Sequence, residues 1–116
     1  MKTFIFPSEI YELKLNVNNE ELAQHILLLE KETETVNLSN VGGWQSDDEF
    51  IQSSAAEEVR EEIANAVVGV CNSLPYKKSV KVIMDNGWAN VSRYKDYNNT
   101  HEHPHCIWSC VYYVQA

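Results

Sequence analysis

An α+β domain with its helices ahead of its strands is the fold class predicted by this 116-residue sequence. Apolar residues recur at helical spacing over residues 20–32 and again over 54–74. The C-terminal third instead collects β-branched and aromatic residues in short runs, interrupted by the turn signal Asn86-Gly87. With 44% hydrophobic residues the chain can bury one core, and its length corresponds to a single domain, residues 1–116. Net charge is −8, from 17 acidic and 9 basic residues. That balance repels nucleic-acid phosphates and anionic lipid, so neither nucleic acid nor a membrane is an expected partner. No apolar run approaches the roughly 20 residues that span a bilayer. Three cysteines, Cys71, Cys106 and Cys110, do not suggest a disulfide framework. The N-terminus MKTFIFPSEI has no long apolar core of a leader, so a soluble, cytoplasmic protein is expected.

Taken in order, residues Thr3 to Phe6 and Ile10 to Val17 read as short strands separated by Pro7; in the second, Tyr11, Leu13, Leu15 and Val17 alternate with polar residues. Asn18 or Asn19 then caps a helix that opens on Glu20 and Glu21, carries Leu22, Ile26 and Leu29 on one face, and runs to about Glu32. Residues Thr35 to Asp47, with Gly42-Gly43, read as a loop. Ser54 and Glu57 have capping-box spacing before a second helix, whose apolar face is Val59, Ile63, Val67, Val70 and Leu74 and which Pro75 ends. Past the basic turn Tyr76-Lys77-Lys78, strands are expected at Val80 to Met84, Trp88 to Tyr94 and Ile107 to Val114. The last is apolar on both faces with little after it to cover it, an edge that invites pairing with another chain and hence a homo-oligomer.

Between the last two strands stands HEHPHC, His101 to Cys106. In an extended segment residues i and i+2 project to one side, so His101 and His103 can offer two imidazoles to one cation while Glu102 faces away. Two ligands do not complete a site, since a facial triad needs three and a structural zinc four. Exposed loop histidines are the plainer reading of the same residues. Zinc held by His101, His103 or His105 with Cys106 and Cys110 is open on ligand type, although the two cysteines lie across a predicted strand. Cys71, on the apolar side of a helix, reads as a small core residue. No phosphate loop is present, because Gly42-Gly43 lacks the Lys-Ser/Thr that follows in one.

Together, SNVGGWQS (Ser39 to Ser46), WANVSRYKDYN (Trp88 to Asn98) and HEHPHCIWSCVYYV (His101 to Val114) resemble a family of 2-oxoglutarate- and Fe(II)-dependent oxygenases found in bacteria, phages and marine metagenomes. The resemblance covers nearly the whole chain in order. It implies N-terminal strands and two helices packed on a partial double-stranded β-helix, a jelly-roll sheet. It also implies Fe(II) and 2-oxoglutarate as cofactors, and hydroxylation of a substrate whose identity the motifs do not give. His101 matches the first iron ligand. His103 stands where the wider superfamily has an acidic ligand, which makes the site less anionic by one charge. Tyr94, Ser109, Val111 and Tyr113 match the lining of the 2-oxoglutarate pocket, and a tyrosine hydroxyl can donate to the cosubstrate's carboxylate. Cys110 departs from the family's glycine. Trp44 in SNVGGWQS reads either as a lid over the active-site mouth or as a core plug.

The family pattern continues beyond V-Y-Y-V to a distal histidine and an arginine. Here the remaining histidine outside the cluster is His25, on a predicted helix, and the arginines are Arg60 and Arg93. The sequence therefore reads as the N-terminal portion of such an oxygenase, expected to be inactive alone. A non-catalytic assembly module, pairing through its exposed sheet edge, is the alternative.

Overall fold

Asn18 opens the first helix as its sequence position predicts, its side-chain oxygen accepting the Glu21 N–H at 3.3 Å. A computed structural model of the chain describes residues 1, 3, 5, 8–75 and 81–115. Helix α1 spans Asn19–Glu32, with Glu20 and Glu21 in its first turn and Lys31 in its last, a charge order that suits the helix dipole. It buries Leu22 and Ile26. Thr33 stops it by turning extended, its N–H and hydroxyl both donating to the Leu29 carbonyl.

Two 3-10 turns, Phe50–Gln52 and Ser54–Ala56, lead into helix α2, Glu57–Ser73. The predicted capping box is not formed. Ser54 already belongs to the second 3-10 turn, and the cap position falls on Ala56, which has no side-chain oxygen to offer. Val59 and Cys71 are the buried residues of α2, which bears out Cys71 as a core residue. Leu74 turns extended ahead of Pro75.

The strands are where expectation and structure part. Four two-residue strands form two antiparallel pairs: β1 (Asn40–Val41) with β4 (Tyr97–Asn98), and β2 (Trp44–Gln45) with β3 (Asn90–Val91). Thus the predicted loop 35–47 supplies half of the sheet residues, and only Asn90–Val91 of the predicted strand Trp88 to Tyr94 is paired. Residues 10–17 and 107–114 join no ladder among the described residues. For the first of these a cause is visible: the backbone N–H of Asn16 donates to Glu62 and that of Asn18 to Glu58, so carboxylates on α2 take donors that a neighbouring strand would otherwise use. The Thr3 to Phe6 strand and the Tyr76 to Lys78 turn fall largely or wholly on residues outside those described, as does Val80; residues 81–84 are unpaired.

Leu22, Ile26, Trp44, Ile51, Ala56, Val59 and Ala89 form one buried cluster, with Val17, Leu29, Met84, Tyr112 and Val114 packed against it. Gly87 makes this possible at one point. Its N–H donates to Asp48, its carbonyl accepts from Ile51, and a Cβ there would lie 2.8 Å from the Ile51 Cβ. The C-terminal segment is anchored by Tyr112, whose hydroxyl donates to Asn19 at the start of α1, and by Trp108, edge-on to Tyr11 at 5.7 Å. Helices and small antiparallel sheets together make the chain α+β, as predicted. No described helix is long and apolar enough to cross a membrane.

Arg93 ties the sheet to α1 through a two-pronged pair with Glu30, at 2.5 and 2.9 Å. The hydrogen bonds from Arg93 hold the Glu30 carboxyl below its ordinary pKa. A carboxyl lowered in the folded state adds stability that is fully present above its unfolded pKa and is lost as pH falls through the folded value. The urea midpoint of wild type should therefore exceed that of Glu30→Gln by its widest margin near neutral pH, and the margin should close in acid. A margin that persists unchanged at about pH 2 would contradict a contribution from this pair.

Candidate metal-binding site

The segment SNVGGWQS and the segment WANVSRYKDYN are ladder partners. Asn40 lies opposite Asn98 and Val41 opposite Tyr97; Trp44 lies opposite Val91 and Gln45 opposite Asn90. Between the two pairs the chain turns at Gly42 and Gly43, both at positive φ (71° and 65°), a conformation that other residues adopt only with strain. Asp96 sits over this turn, its carboxylate accepting the Arg93 N–H at 2.7 Å. Ser46, nearly fully buried, accepts the Ala89 N–H on its hydroxyl, and its own N–H donates to the Ala89 carbonyl. Trp44 is buried in the core, and its indole N–H donates to the Thr33 carbonyl. Of the two readings of Trp44, the core plug is the one observed.

This platform delivers the histidines. The Asn99 N–H donates to the Ser39 carbonyl at 2.7 Å, so the residue just before β1 holds the peptide just past β4. The Asn99 carbonyl in turn lies 2.7 Å from Nδ1 of His101. A carbonyl oxygen only accepts, so Nδ1 carries the proton, and in the neutral ring Nε2 presents a bare lone pair. Histidines that bind metals are commonly oriented by such a bond from the other ring nitrogen. His103, half-buried, lies against Trp88 at 5.7 Å between ring centres, inclined by 34°.

The two imidazoles meet edge to face, 4.9 Å between centres and 82° between planes. Rings that share one ion through metal–nitrogen bonds of about 2.0–2.1 Å hold their centres about 5 Å apart at a tetrahedral angle. Both the spacing and the donor chemistry fit a divalent first-row metal. His101 and His103, expected to project to one side, have their rings in contact. His105, at positive φ, and His25, on α1, are exposed elsewhere, and Cys106 and Cys110 are exposed free thiols. Among the described residues no three His, Cys, Asp or Glu side chains are grouped to hold a metal.

The four residues matched to the cosubstrate lie as follows. Ser109, Val111 and Tyr113 are exposed, whereas Tyr112 and Val114 pack on the core, so the side of this segment that turns inward is not the one matched to the cosubstrate. Tyr94 is turned to solvent at 91% exposure, its ring under the Lys95 ammonium at 5.5 Å. None of the four lines either of two clefts in the fold. One, of about 520 Å³, lies between Tyr11 to Leu15 and α2, and the other, of about 540 Å³, lies between the ends of α1 and α2. The donor chemistry of His101 and His103 is of the kind that suits a divalent metal, while Tyr94, Ser109, Val111 and Tyr113 stand at the surface.

Three positioning residues were not singled out by sequence reasoning: Ser39, Asn99 and Trp88. The first two act through backbone atoms, which leave no trace in residue type. Trp88 opens one of the motif segments but carried no assigned role beside the histidines. Compared with family models, with curated proteins and with solved structures, the chain finds no match.

Proposed function

We propose that residues 88–114 carry the first part of a metal-dependent oxygenase site of the 2-oxoglutarate and Fe(II) type, in a jelly-roll-like sheet of which β1–β4 and the extended segment 107–114 are pieces. In this reading His101 and His103 bind the iron, and Tyr94, Ser109, Val111 and Tyr113 face the cosubstrate. The observation that supports it is the His101–His103 contact, with His101 held by Asn99 in the tautomer that leaves Nε2 to bind. Fe(II), when bound with 2-oxoglutarate and O2, supplies the oxidising chemistry; the chain's own part is to hold two imidazoles at ligand spacing. A third ligand comes from outside this pair.

The test is a titration with Co(II), a spectroscopic stand-in for Fe(II), on wild type, His101→Ala and His103→Ala. Loss of either imidazole should weaken binding at least about tenfold, since even partners that only orient a metal's ligands contribute on that scale. Equal binding by all three proteins would dismiss the pair as a site. Anaerobically purified protein with Fe(II), 2-oxoglutarate and ascorbate should then be assayed for succinate, against the His101→Ala control.

A second reading is favoured by the C-terminal segment itself. Ile107, Val111 and Tyr113 are 93%, 75% and 75% exposed on a stretch that joins no ladder among the described residues. Edge-to-edge pairing of this stretch with another copy would make the chain an assembly module. Mass in solution, compared between wild type and Val111→Lys, tests that pairing.

A further inference from the structure

We propose that His101 and His103 of one chain and the same two residues of a second copy together bind one zinc-type divalent ion, which ties the two chains into a dimer. The inference rests on the metal-binding half of the preceding reading and departs from its oxygenase half, because four protein ligands leave no open position for a cosubstrate or O2. Its starting point is geometric. The pair sits at the 4.9 Å spacing of two rings sharing an ion, and His101 is oriented from behind by Asn99. His101, Glu102, Pro104 and His105 are exposed and His103 is half-buried against Trp88, so a second protein surface can reach the pair from the His101 side.

A closed tetrahedral site takes four protein ligands. A two-fold axis through the ion presents the same two imidazoles from each side, which gives four nitrogens without any further residue. Two chains of net charge −8 repel each other, and a divalent ion held by neutral imidazoles places positive charge at their contact. Association should therefore depend on the metal. Ile107 and Val111, exposed just beyond the histidines, supply apolar surface for the same contact to bury.

Sedimentation velocity of the full chain with and without Zn(II) tests the proposal, with zinc content measured on the separated species. The expected result is a species of twice the chain mass, saturating at one zinc per two chains and reversed by EDTA. His101→Gln and His103→Gln should stay monomeric at the same zinc concentration with unchanged helical circular dichroism. A Cys106→Ser/Cys110→Ser variant should still dimerise. A monomer binding one zinc per chain would overturn the shared site while leaving the His pair as a metal site. A dimer that forms regardless of zinc, or that needs the cysteines rather than the histidines, would also overturn it. Absence of any binding of Zn(II) or Co(II) would sink this inference and the preceding reading together.

Discussion

Trp44→Ala is expected to cost about 3–5 kcal/mol of stability, the usual range for removing a large aromatic from a packed core. Trp44 is only 5% exposed and shares its buried cluster with Leu22 and Ile26 of α1, Val59 of α2, and Ala89, the residue just before β3. The loss is large against a domain of this size, whose whole stability is of order 5–15 kcal/mol. Part of it is polar: the indole N–H donates to Thr33 where α1 ends, a bond whose net contribution is about 0.5–1.5 kcal/mol. Trp44→Phe keeps most of the apolar contact and loses that bond, so it should fall between wild type and Trp44→Ala. Urea unfolding followed by circular dichroism measures both. If Trp44→Ala shifted the midpoint by less than about 1 kcal/mol, the residue would not be acting as a core plug, and its alternative role over a site mouth would return.

What the sequence revealed depends on how local the determining contacts are. Helix α1 was legible to its ends, because its cap, its acidic first turn and its apolar spacing all lie within the helix or beside it. The strands were not. Alternation can report which side of a segment meets the core, but 107–114 is apolar on both faces, and that Tyr112 and Val114 pack inward could not be read from it. Whether a segment finds a ladder partner is decided far away in the chain, as when Asn40 meets Asn98. At Asn16 and Asn18 the partners proved to be carboxylates on α2, which no periodicity foretells. The same distance explains the candidate site. The His-x-His parity is local, but Asn99, whose carbonyl orients His101, is held through its N–H by Ser39, just ahead of β1. The motif segments that drew attention separately are therefore joined physically: the first two pair with each other, and that pairing positions the third.

Gly43→Ala should be nearly as damaging as the loss of Trp44, at about 2–5 kcal/mol. The residue sits at φ +65°, where a Cβ brings strain of about 1–2 kcal/mol. Its Cβ would also lie 2.8 Å from the Val91 carbonyl oxygen, and crowding of a packed interior adds about 1–3 kcal/mol. That oxygen is backbone in the Trp44–Val91 ladder, so relief requires parting β2 from β3. Gly42→Ala differs in kind, although its φ of +71° carries similar strain. There the obstruction is the Asp96 carboxylate, a side chain that can swing aside at the expense of its bond from the Arg93 N–H. Removing Asp96 should therefore recover part of the Gly42→Ala loss and little of the Gly43→Ala loss. A double-mutant cycle with Asp96→Ala measures the difference as coupling that is sizeable for the first pair and small for the second. Co(II) titration of the same variants connects the turn to the site. Because Ser39, just ahead of β1, holds Asn99 and Asn99 holds His101, parting the platform at Gly43 should weaken metal binding as well as stability. Unchanged affinity in a folded Gly43→Ala protein would show that the histidines are positioned without the turn.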